Sequence, residues 1–311
     1  VTTVSTLGTY GDLSGSPLVF RNKIINGGFD IWQRGISQTA NGDGFGYGSD
    51  DRWGNYGFGS TKVHSQQLFT LGQMDVPGNP RYFSRTVVTS AVGAANSVRK
   101  YQNIESVRTL AGQTATLSFW AKADATKNIA VEFVQGFGSG GGASTAITGI
   151  GIATFALTTS WQRFTTTVSL PSITGKVLGT DNKDYLGIVF WFDSGSDFNS
   201  RTNSLGQQSG TFDIANVQLE AGPVATPFEQ RPVGTELTLC QRYYETGNVI
   251  ISNNAAHVYL NQWYKVTKRT SSPVISVSAG GATWLSTADG FYNSSTSSSI
   301  ATATFTASAE L

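Results

Sequence analysis

Thr114–Ala123 reads TATLSFWAKA, with Leu117, Phe119 and Ala121 alternating against Thr116, Ser118 and Trp120. A period of two over ten residues is a strand with one face on a core and the other on solvent or a second layer. The same rhythm returns in IAVEFVQ (129–135), WQRFTTTVSL (161–170), YLGIVFWF (185–192) and GTFDIANVQLE (210–220), each bounded by Gly, Ser, Asn or Asp. No long 3.6-residue period interrupts these runs between Arg21 and Arg231, so this part of the chain predicts an antiparallel β-sandwich.

Outward from it the pattern changes twice. Residues 1–20 are small, polar and punctuated by glycine, which predicts an arm or linker with no core of its own. GPVATPFEQRPVG (222–234) carries three prolines and marks a boundary. TELTLCQRYYE then predicts a short helical connector within 232–246, capped by Thr235, with Leu237, Cys240 and Tyr244 on one face. From 247 to 311 strand signals resume in HVYLNQWYKV, PVISVSA and IATATFTASAEL, a small distal β domain thin enough that self-association would help hold it. The fold class expected is therefore all-β: sandwich (21–231), short helix, small C-terminal β domain.

Composition narrows the function. The 311 residues hold 13% charged side chains, about half the usual ~25%, and 36 glycines, a loop-rich β profile. A net charge of +1 supplies no field for polyphosphate, which argues against nucleic acid as a partner. One cysteine, Cys240, forms no intrachain disulfide, and with only His64 and His257 beside it a Cys/His zinc site cannot be filled. No apolar run reaches the ~20 residues of a membrane span, and the opening residues lack a signal-peptide pattern, so neither membrane insertion nor ordinary secretion is expected.

Candidate chemistry is sparse. Gly136, Gly138 and Gly141 satisfy G-x-G-x-x-G, yet β-like sequence follows, and a hairpin loop is the reading. Asp50 with Asp51, Asp193 with Asp197, and Glu132 offer carboxylates for a glycosidase, although such pairs in Gly/Ser loops are also ordinary turn chemistry. His64 beside Ser65, His257 and Cys240 sit in no nucleophile elbow. Asp30 near the first strand and Asp213 in the last are a candidate structural Ca²⁺ pair, with unmetallated carboxylates as the alternative. The segment Gly42–Gly59 reads as a loop whose Tyr47, Tyr56 and Phe58 either stack on sugar rings or fold back over the sandwich. Trp32, Trp53, Trp120, Trp161 and Trp191 lie in strand-like runs and read as core. Trp263, Trp284 and Tyr292 lie in the C-terminal unit, where either carbohydrate recognition at a tip or burial in a trimer interface accounts for them.

Three stretches in order, NKIINGGFDIWQRG (22–35), DDRW (50–53) and VQLEAGPVATPFEQRPVGTELTLCQRYYE (217–245), closely resemble bacteriophage tail-fibre and other virion appendage proteins. The section between them is similar to a carbohydrate-binding-module jelly roll: N-G-x-F-[ED] at Asn26–Asp30, LSFWAKA at 117–123, SWQRFTTTV at 160–168 and FDIANVQLE at 212–220. The end, from YKVTKRTSSPVISVSAGG to ATFTASAEL, looks like the small β terminus of many phage fibres. This resemblance implies a non-enzymatic homotrimeric virion fibre or spike subunit that engages bacterial surface polysaccharide or lipopolysaccharide, with the arm meeting other virion proteins. It also implies calcium at the acidic residues of the opening and closing strands, here Asp30 and Asp213. A connector or decoration protein without glycan binding and a polysaccharide depolymerase are the competing readings, the latter lacking any β-helix repeat.

Overall fold

A computed structural model describes residues 20–40, 44–251, 260–278, 284–293 and 301–311. The expected arm, apart from Phe20, and His257 lie outside the described residues. Two six-stranded antiparallel sheets face each other. The first runs β1 (Ser37–Ala40), β4 (Thr61–Leu68), β5 (Tyr82–Thr89), β12 (Gly210–Ala221), β7 (Thr114–Ala123), β10 (Gln162–Ser169). The second runs β2 (Gly44–Gly46), β3 (Gly54–Phe58), β6 (Ser97–Glu105), β11 (Asp184–Ser194), β8 (Lys127–Phe137), β9 (Ile147–Leu157). From β5 to β8 and from β9 to β12 each connection crosses from one sheet to the other, which makes the sandwich a jelly roll.

The alternation in TATLSFWAKA does what it predicts: Leu117, Phe119 and Ala121 are fully buried in the core. They meet Ile188, Phe190 and Phe192 of β11 and Ile129, Val131 and Phe133 of β8. Phe119 sits edge-on to Phe155 and Phe190, with ring centroids 5.2 and 5.1 Å away. Each such side chain contributes roughly 1.5–3 kcal/mol by leaving water. One end of the interior is polar instead. Asp50 accepts hydrogen bonds from Lys100 Nζ (2.5 Å), Ser49 Oγ (2.8 Å) and Ser84 Oγ (2.9 Å), all in buried surroundings.

Gly42–Gly59, expected as a loop, contributes the paired strands β2 and β3. Its glycines serve close approach as well as turning: a Cβ on Gly54 would fall 2.1 Å from the Tyr101 ring. The tryptophans divide. Trp53 is core and Trp32 packs against it, but Trp120 and Trp161 are half-buried on the outer face of the first sheet. Trp191 is buried on the outer face of the second, because β11 points Leu186, Ile188, Phe190 and Phe192 inward and Tyr185, Val189 and Trp191 outward.

The proline-rich stretch folds back over the sandwich. Glu229 accepts from the backbone of Phe20 (2.5 Å) and Asn22 (2.8 Å), and Arg231 donates to the Ile24 carbonyl (3.0 Å). The helix α2 spans Val233–Gln241 and starts behind Pro232 with no side-chain cap, so Thr235 lies inside it. Its buried residues are Glu236, Cys240 and Gln241, while Tyr244 already belongs to the next strand. Glu236 takes the inward position because Arg231 and the Asn26 amide meet it there.

Beyond the helix come β13 (Tyr244–Ile251), β14 (Leu260–Trp263), β15 (Val274–Val277), β16 (Trp284–Ser286), β17 (Gly290–Asn293) and β18 (Ala301–Ser308). They form two three-stranded sheets, β13-β18-β15 and β14-β17-β16, around Tyr264, Phe291, Ala303, Phe305 and Ala307. This unit is docked on the sandwich by Glu310, which pairs with Arg34 (3.0 Å) and Arg52.

Candidate functional site

The outward face of the second sheet carries a candidate site. Register places Trp191 beside Arg99, Val189 beside Tyr101, Gly187 beside Asn103 and Tyr185 beside Gly136. A cleft of about 230 Å³ opens there, walled by Arg99, Tyr101, Asn103, Val134, Tyr185 and Arg201, with Gly187 and Val189 between them. Glycine shapes it. A Cβ on Gly136 would fall 2.3 Å from the Tyr185 ring, so the missing side chain is what lets that ring lie across the strand.

One carboxylate organises the cleft. Glu132, fully buried, accepts from Trp191 Nε1 (3.1 Å), Arg201 Nε (3.0 Å) and the Gly149 amide (2.7 Å). Both guanidinium groups lie over the Trp191 ring, Arg99 at 4.5 Å and Arg201 at 5.1 Å from its centroid, and Arg99 also lies 4.1 Å over Tyr56. Burial and then the Arg201 charge lower the Arg99 pKa below its ordinary value. Burial likewise raises that of Tyr185, against the pull of Arg201 and Arg99. The arrangement offers aromatic faces, an amide at Asn103 and two positioned cations, a recognition surface with few but oriented polar groups.

Among the residues singled out from sequence, Tyr56 belongs to this face, packed against the aromatic layer of Tyr101 and Trp191. Tyr47 packs edge-on to Tyr101 (6.0 Å) and donates its hydroxyl to the Leu311 carbonyl (3.2 Å), so it braces the docked C-terminal unit. Phe58 ends β3 and is 39% exposed. Trp284 points inward, edge-on to Phe291 at 5.5 Å. Trp263 and Tyr292, by contrast, are 64% and 42% exposed, and with Leu285 they share the outer face of β14-β17-β16.

Asp213 is gripped by Arg85 through Nε (2.7 Å) and Nη2 (2.8 Å), with Lys122 Nζ 3.9 Å away. A carboxylate surrounded by cations does not fit a calcium site, and among the described residues no three His, Cys, Asp or Glu side chains are grouped to hold a metal. Asp30 has other neighbours: burial, then the Glu236 charge, push its pKa up to about 6. The carboxylates considered for acid–base work are held apart in function. Asp50 pairs with Lys100, Asp51 accepts from the Gln33 amide (2.9 Å), and Asp193 accepts from Ser60 (2.7 Å) and Ser90 (2.8 Å). A second cleft, about 350 Å³, lies on the first sheet between Trp120, Arg163, Asn216 and Phe228.

Sequence reading missed Arg99, Tyr101, Tyr185, Trp191 and Arg201. The available signal was YLGIVFWF, apolar at both parities, because in an antiparallel sandwich such a strand has a second face that is covered or used.

No family model matches the chain, and no curated protein does. Among solved structures it is similar to a CBM4 carbohydrate-binding module at 18% identity, over 63% of this chain and 98% of that one, with a TM-score of 0.33. The enzymatically active domain of tailspike protein 4 from bacteriophage CBA120 aligns at 13% identity, over 65% of this chain and 22% of that one, with a TM-score of 0.36. A family 11 carbohydrate-binding module from Clostridium thermocellum, in complex with a mixed-linked tetrasaccharide, aligns at 12% identity over 61% and 98%, with a TM-score of 0.33.

Proposed function

We propose that the chain is a non-catalytic glycan-binding subunit of a virion appendage, with its site in the cleft on the second sheet. The observation that carries this reading is the pair Tyr101 and Tyr185 in the cleft wall beside Asn103 and two arginines, backed by the layer of Tyr56 and the fully buried Trp191. Aromatic bodies with polar tips suit the apolar face of a sugar ring, and planar hydrogen-bonding groups at their edges suit its hydroxyls. The virion setting rests on the tail-fibre resemblance of 22–35, 50–53 and 217–245; bacterial surface polysaccharide or lipopolysaccharide is then the ligand and a homotrimer the assembly, giving avidity to weak single sites.

The test is a glycan array and a panel of bacteria probed with the purified protein. Binding to cells that disappears when their surface polysaccharide is stripped is expected. A folded protein that binds no cell and no glycan would refute the proposal. The connector reading is favoured by one observation, the exposed Trp263–Leu285–Tyr292 face, and it predicts a stable oligomer with no sugar affinity.

A further inference from the structure

The polar end of the interior brings an amine, an amide and a carboxylate together. Register sets Asn55 of β3 directly opposite Lys100 of β6, so both side chains leave the second sheet on the same face, and with Asp50 they are fully buried. Lys100 Nζ donates to Asn55 Oδ1 (2.8 Å) and to Asp50 Oδ2 (2.5 Å). Asn55 Nδ2 donates to Asp50 Oδ1 (3.4 Å), and also to Ser49 Oγ (3.2 Å) and Gln38 Oε1 (3.0 Å). One carboxylate thus touches the amine with one oxygen and the amide nitrogen with the other, while the amine lies against the carbonyl of that same amide.

We propose that Lys100 and Asn55 join spontaneously through an amide bond between their side chains, with Asp50 as the proton carrier. Asp50 takes a proton from the Lys100 ammonium and leaves a neutral amine. The Nζ lone pair attacks Cγ of Asn55; the Nζ–Cγ bond forms and the Cγ–Nδ2 bond breaks, its electron pair leaving with Nδ2. Nζ gives up two protons in all, Nδ2 receives two by way of Asp50 and departs as ammonium, and Asp50 ends as the carboxylate it began as. Burial lowers the Lys100 pKa, against the charge and hydrogen bond of Asp50, and so favours the reactive neutral amine. Holding amine and amide in contact replaces a high concentration, since effective molarities of well-oriented pairs reach roughly 10⁵–10⁸ M. The product is a covalent staple between β3 and β6 in a chain whose one cysteine, Cys240, forms no intrachain disulfide.

The experiment is intact-mass spectrometry of the full chain, denatured for measurement after the folded protein has been incubated until its mass is constant, followed by trypsin digestion. The expected mass is that of the sequence less one ammonia, and residues 53–62 and 100–108 are expected as one branched peptide, uncleaved after Lys100. Asn55→Asp is expected to lose water instead and to reach the same product. Asn55→Ala keeps the Lys100–Asp50 pair without the amide; it is expected to keep its full mass and is the reference against which the stability of that pair is read. An unchanged mass in the folded, unaltered protein overturns the proposal and leaves a buried ion pair with Asn55 as a second acceptor. Loss of ammonia with the two peptides recovered separately, the mark of a succinimide within the Asn55 backbone, overturns it as well.

Discussion

Glu132→Gln separates the two jobs of the buried carboxylate. Trp191 Nε1 and the Gly149 amide donate to different carboxylate oxygens, so glutamine, with one carbonyl oxygen, accepts from only one of them, and it removes the charge that faces Arg201. Breaking a buried ion pair from one side costs about 3–5 kcal/mol, and because the Arg201 side chain is 24% exposed and can rehydrate, about 2 kcal/mol is expected here. For a domain of this size that lowers Tm by roughly 4–8 °C. Glycan affinity is expected to fall at least tenfold as well, because the carboxylate that holds Trp191 and Arg201 in place at the cleft is lost. Calorimetric melting reads the first effect, and titration with the strongest glycan-array ligand reads the second. A variant that melts and binds as the unaltered protein does refutes the reasoning about the buried carboxylate.

Asp50→Asn leaves Lys100 buried without its carboxylate, and a loss of about 3–5 kcal/mol in denaturant unfolding is expected, most of it recovered in the Asp50→Asn/Lys100→Met double variant. Gly136→Ala drives a methyl group into the Tyr185 ring, so it is expected to weaken glycan affinity at least tenfold while changing stability by about 1–3 kcal/mol. His64 is fully buried, and burial followed by the Lys100 and Lys62 charges lowers its pKa well below 6.5. The unfolded chain then binds a proton that the folded chain does not, so His64 removes stability as pH falls below 6.5, by up to about 1.4 kcal/mol per pH unit; His64→Gln unfolding measured from pH 7 to 5 is expected to lack that component. Trp263→Ser with Tyr292→Ser changes exposed residues, and light scattering is expected to show a lower molar mass with an unchanged monomer fold when that face joins copies of the chain.

The sandwich was legible because its information is local. Alternation in 114–123 states which residues face the core, and Leu117, Phe119 and Ala121 are buried there as it predicts. Three features were hidden for physical reasons. Gly54 and Gly136 look like turn residues in sequence, whereas their role is to leave room for rings from neighbouring strands, which is a contact between distant residues. Glu236 looks like a first-turn surface acid, and only its pairing with Arg231 and Asn26 explains its burial. The cleft is assembled from β6, β8, β11 and the short α1 (Asn199–Thr202), and the arginines it needs lie about a hundred residues apart. Glycine-rich loops are where the sequence places exposed aromatic residues, whereas Tyr101 and Tyr185, which line the cleft, stand on paired strands of the second sheet.

The measurement that tests the central claim most directly is the affinity of Tyr185→Ala for the strongest ligand found on the glycan array, titrated beside the unaltered protein. Tyr185 is half-buried at the cleft wall and lies outside the core between the sheets. The account predicts at least a tenfold loss of affinity with the fold retained by circular dichroism. Unchanged affinity would contradict it and move the site off the second sheet.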